Sequence, residues 1–129
     1  MDKALERAVA LLGPLEGRIM RAIWSRAVKE PFVVRDVQVK TRGLAYTTVM
    51  TTLNRLAEKG LLRVRAVPRQ RAHEYRSAGS PANYLAAAGR DQVEQLVERY
   101  GEAALAAFAA RLDELTPAQR DRLRRLVGR

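Results

Sequence analysis

The segment Leu44–Leu62, LAYTTVMTTLNRLAEKGLL, constrains the fold more than any other part of the chain. On a 100° wheel, Val49, Leu53, Leu56 and Gly60 fall on one face, so 45–59 reads as an amphipathic helix. The opposite face carries Thr47, Thr51, Asn54 and Glu58, flanked by Thr48 and Arg55. Lys59-Gly60 ends it with a basic last turn and a terminal glycine. Four threonines fall within 47–52, although Thr has weak helix propensity and solvated helix faces favour Glu, Lys and Gln. Their presence asks for a reason other than helix stability.

The flanking segments supply a context. Residues 1–12 have helix-forming composition and read as a short helix or a frayed arm, ending at Gly13-Pro14. Pro14 is placed to start a helix over 14–27, with Leu15, Ile19, Ile23 and Trp24 at helical spacing and Trp24 as a core anchor. Residues 28–33 suit a connector or a short strand, and 34–40 a brief helix that buries Val34 and Val37. Thr41-Arg42-Gly43 is a turn. After the central helix, 61–67 and 72–76 read as strands joined by the basic tip Pro68-Arg69-Gln70-Arg71, a β-hairpin wing.

Ser77–Ser80 is a linker. Ser80-Pro81 then offers an N-cap followed by Pro at the first helical position. Apolar stripes follow over 81–100 and 102–115, separated at Gly101, and a capping box at Thr116–Gln119 opens a last helix. The predicted fold is mainly α with a small β wing: an N-terminal winged helix-turn-helix over 1–79 and a C-terminal helical dimerisation region over 80–129. About fifty residues in three amphipathic helices bury too little surface to be stable as one copy. Leu85, Val93, Leu96, Val97, Tyr100, Leu105, Phe108 and Leu112 are the residues expected to meet a second chain.

Charge divides along the same line. The net charge is +10, and Arg supplies 20 of the 24 basic residues. Residues 1–79 hold 16 of those 24 and 7 of the 14 acidic residues, a net of +9, which leaves +1 for 80–129. A uniform composition bias would not separate in this way, so one segment is suited to a polyanion and the other to protein.

A helix that enters a major groove needs outward side chains short and polar enough to approach base edges. Tyr46, Thr47, Thr48, Thr51, Asn54 and Arg55 meet that requirement: Thr donates, accepts and offers a methyl to thymine, Asn can pair with adenine, and Arg with guanine. In the wing, Arg65, Arg69, Gln70 and Arg71 can reach phosphates or a neighbouring minor groove.

Other chemistries are unsupported. The chain has no cysteine, which removes disulfides and thiolate sites. A single His73 among arginines has no partner motif for a metal. No phosphate loop, nucleophile elbow or paired-carboxylate motif appears, so neither an enzyme nor a bound cofactor is expected. Charged residues in the first twenty positions and the lack of a long apolar run predict a soluble cytoplasmic protein without membrane insertion.

The segments LGPLEGRIMRAIW (12–24), VRDVQ (34–38), 44–62 and RQRAHEY (69–75) together resemble the penicillinase-repressor family, the BlaI/MecI/CopY group of bacterial regulators. The resemblance covers most of 12–127. It implies a winged-helix homodimer on palindromic operator DNA that represses β-lactam resistance or envelope-stress genes. It also implies release by cleavage in the dimerisation region, triggered by a membrane sensor metallopeptidase. The corresponding place is Ala107-Phe108, where Ala stands in place of the family's Asn. Val33 occupies the place where many relatives carry a Thr N-cap. The alternative considered is a ligand-responsive winged-helix regulator of the multiple-antibiotic-resistance (MarR) type, against which stand a short 1–13 segment and an aromatic content of 5%.

Overall fold

The computed structural model describes residues 2–68 and 73–127. Its elements run α1 (Lys3–Ala10), α2 (Pro14–Trp24), α3 (Val34–Lys40), α4 (Tyr46–Glu58), β1 (Leu62–Ala66), β2 (His73–Ser77), α5 (Pro81–Tyr100), α6 (Glu102–Asp113) and α7 (Pro117–Val127). The fold is mostly helical with one two-stranded antiparallel sheet, and helices followed by a hairpin make a winged helix.

Two compact units divide the chain, residues 1–87 and 88–129. The expected boundary at 79/80 moves into α5 because Tyr84 lies against Trp24, ring centroids 5.9 Å apart, and joins the first turns of α5 to the first unit.

The core of the first unit follows from helical periodicity. Ile19, Met20 and Ile23 from α2, Val34 and Val37 from α3, and Val49, Leu53 and Leu56 from α4 are all buried, as are Leu61, Leu62, Phe32 and Tyr75. Each large apolar side chain so buried contributes about 1.5–3 kcal/mol. Trp24 sits at the rim, half-buried, with its indole N–H donating to the carbonyl of Gly79 at 3.0 Å.

Local capping explains where the elements begin and end. Asp2 Oδ1 accepts from the backbone N–H groups of Ala4 and Leu5, which makes α1 a helix rather than a frayed arm. Gly17 lets α1 lie close on α2: a Cβ there would stand 3.2 Å from the carbonyl oxygen of Val9. Helix α2 stops at Trp24, short of the expected 27, because Arg26 turns left-handed at φ 66°. The amides of Ala27 and Arg26 then return to the carbonyls of Ala22 and Ile23. Val33 cannot cap α3 with its own side chain, and Asp36 Oδ2 instead reaches back to the Val33 N–H at 2.9 Å. Helix α4 closes on Gly60 at φ 85°, with Leu61 N–H on Leu56 O and Gly60 N–H on Ala57 O.

The hairpin pairs Leu62 with Ser77 and Val64 with Tyr75. Its strands lie slightly inside or beyond the expected 61–67 and 72–76. The open choice for 28–33 resolves as a connector with one antiparallel bridge, Phe32 to Tyr75. Glu30 adds to this attachment by accepting from the Ser77 N–H and hydroxyl.

In the second unit, Gly101 at φ 61° separates α5 from α6, and Thr116 and Gln119 form the expected reciprocal cap of α7. Ala104 is the buried apolar residue of this unit among those described. No helix among the described residues is long and apolar enough to cross a membrane.

Candidate nucleic-acid interface

Helix α4 is held at both ends. Before it, an Arg18 guanidinium nitrogen donates to the Arg42 carbonyl and Gln38 Nε2 donates to the Leu44 carbonyl, which fixes the turn leading into the helix. At its end, Lys59 Nζ lies 2.9 Å from both carboxylate oxygens of Glu16 on α2. With Val49, Leu53 and Leu56 inside, the far side of α4 stands in solvent.

On that side Tyr46, Thr47, Thr51, Asn54 and Arg55 are exposed. Thr48 is half-buried and its carbonyl accepts the hydroxyl of buried Thr52 at 2.8 Å. Thr52 thus returns its polar group to the helix backbone, and the threonine cluster divides into outward members and one that satisfies itself. Met50, 36% exposed, adds an apolar element to the outer surface that the sequence reading did not include.

Asn54 is not free. Its Oδ1 accepts a hydrogen bond of 2.8 Å from the hydroxyl of Tyr75 on β2. Burial raises the Tyr75 pKa above its ordinary 10.0, and the charge of a nearby Tyr46 phenolate adds to the effect. Strand alternation places Tyr75 inward, but no local signal in the sequence names its partner 21 residues away.

The wing is also more constrained than its composition suggests. Arg65 pairs with Glu74 across the strands at 2.7 Å. Arg63 and Arg76 face each other in the register, both exposed, and neither forms an ion pair with the described residues. Arg69, Gln70 and Arg71 lie outside the described residues. His73 is exposed at the start of β2, and no group of three potential metal ligands occurs among the described residues.

In the second unit Val93, Leu96, Tyr100, Leu105, Phe108 and Leu112 are 39–55% exposed, and Val97 is half-buried. Leu96, Tyr100, Ala103, Ala104, Ala107 and Phe108 line an apolar hollow of about 300 Å³. Leu85 is separated from this group, since it lies in the first unit and is half-buried there. Ala107 and Phe108 fall in the middle of α6.

Residues 12–129 match the penicillinase repressor family. Over 67 residues the chain is 49% identical to the transcriptional regulator BlaI of Mycobacterium tuberculosis, in two strains, an alignment covering 50% of this chain. The chain spans about half, 46%, of the length of those relatives. The solved structure of BpsR from Bordetella bronchiseptica, whose DNA binding is described as regulated by 6-hydroxynicotinic acid, is 22% identical with a TM-score of 0.45. It covers 97% of this chain and 90% of that one.

Proposed function

Because the chain belongs to the penicillinase repressor family, we propose that it is a sequence-specific DNA-binding repressor acting as a cytoplasmic homodimer on a palindromic operator. The observation that carries this reading is the outer face of α4, where Thr47, Thr51, Asn54 and Arg55 stand clear of the core. Two copies would place two such helices in successive major grooves, ~34–36 Å apart. Arg63 and Arg76, with the basic tip at 69–71, would meet the phosphates. The exposed apolar residues of α5 and α6 would be covered by the second chain. The regulated genes would be those of β-lactam resistance or envelope stress. The family match over 12–129 favours this over the ligand-responsive MarR-type alternative.

Release would involve a membrane sensor metallopeptidase acting at Ala107-Phe108. That bond lies within α6, so cleavage would require the helix to open first.

Selection from a random duplex library, followed by gel shifts across a salt series, tests the reading. An enriched two-fold-symmetric site and a log–log salt slope of about −0.9 per neutralised phosphate are expected. The absence of any retarded complex at low ionic strength overturns it.

A further inference from the structure

We infer that Tyr75 sets which base Asn54 selects: by holding the Asn54 carbonyl, it turns the amide nitrogen outward and makes Asn54 a donor to the keto edge of guanine or thymine. The inference rests on α4 being the base-reading helix.

An unrestrained asparagine pairs with adenine by presenting oxygen and nitrogen together, accepting from N6 and donating to N7. Here the oxygen is already directed at the Tyr75 hydroxyl, 2.8 Å away. The phenol cannot follow a rotating amide. Tyr75 is 1% exposed and stacked on Phe32, with ring planes 17° apart. Its strand is fastened there by two backbone bonds, Tyr75 N–H to Phe32 O at 2.7 Å and the reverse at 2.9 Å.

A planar amide with its oxygen held against the protein has its NH₂ left for the groove. Guanine O6 and N7 both accept, as does thymine O4. The amino groups of adenine and cytosine present donors where a donor already stands, so adenine keeps only its N7 for the amide, whereas guanine offers O6 and N7 side by side. The buried phenol retains the proton it donates, since its pKa is raised. Tyr75 is therefore a positioning residue, acting on the duplex through Asn54 and touching none of it.

The test is library selection with the full-length wild type, Tyr75→Phe and Asn54→Ala. Tyr75→Phe keeps the ring in the core and releases the amide, and a melt by circular dichroism checks that it folds. Asn54→Ala changes an exposed position but leaves the Tyr75 hydroxyl without its partner, so the same melt checks that it folds. Wild type is expected to prefer guanine or thymine over adenine at one position of each half-site by about tenfold. Tyr75→Phe should admit adenine there, and Asn54→Ala should lose the preference at the same position, with other positions and the salt slope unchanged. Adenine preferred by the wild type at the position sensitive to Asn54→Ala, or an unaltered Tyr75→Phe profile, overturns the inference while leaving the operator reading intact. A wild type that enriches no sequence overturns both.

Discussion

The indole N–H of Trp24 donates to the carbonyl of Gly79 across 55 residues of sequence. That bond ties the end of α2 to the linker after the wing. Trp24→Phe removes the donor and part of the buried area and leaves the carbonyl without its partner. A loss of about 1–3 kcal/mol in a urea titration is expected. An unchanged midpoint would show that the linker contributes nothing to the unit.

Arg26 adopts a left-handed backbone, φ 66°, at the end of α2, a position that glycine occupies without steric cost. Arg26→Gly should stabilise the fold, by up to about 1 kcal/mol after the added freedom of the unfolded chain is counted. The increase should appear as a higher thermal midpoint, and a decrease would contradict the capping role.

Tyr75 gives a pH dependence with a definite sign. Its folded pKa is raised above the ordinary 10.0, so the folded state keeps a proton that the unfolded chain gives up. Stability from this source is fully present below pH 10 and declines as pH rises through the higher folded value. Urea midpoints measured upward from about pH 9 should fall more steeply for wild type than for Tyr75→Phe. Parallel profiles would mean that the phenol titrates alike in both states.

Much of this was legible from the residues. The inward positions of α2, α3 and α4 follow from helical spacing, and Gly60 ends α4 by the left-handed cap its position suggests. Local rules do not reach a partner that is remote. The bond from Tyr75 to Asn54 and the pairing of Arg65 with Glu74 appear only once the strands are in register beside α4. The boundary at 79/80 followed the Ser/Gly composition of the linker, but the Trp24–Tyr84 contact draws the start of α5 into the first unit. Pairing between distant segments is set by packing, which single-segment periodicity does not encode.

Thr51 is exposed on α4 without the tether that holds Asn54. Thr51→Ala should relax sequence preference while leaving affinity for random duplex unchanged. Equal losses on selected and random DNA, measured by fluorescence anisotropy, would count against base contact.

Phe108 is 39% exposed beside the apolar hollow of α5 and α6. Phe108→Glu would place a charge in the contact proposed between two chains, so sedimentation should shift from two chains to one at equal concentration. Retention of the larger species would move the interface elsewhere.

The Arg65–Glu74 pair has a bearing on how tightly the hairpin grips a polyanion. A phosphate arriving at Arg65 meets a guanidinium whose charge Glu74 already offsets, and that carboxylate faces the same negative backbone. The pair as a whole neutralises little phosphate charge and liberates few counterions. Arg63 and Arg76, which bring no carboxylate of their own among the described residues, would dominate the ionic-strength response of these two strands.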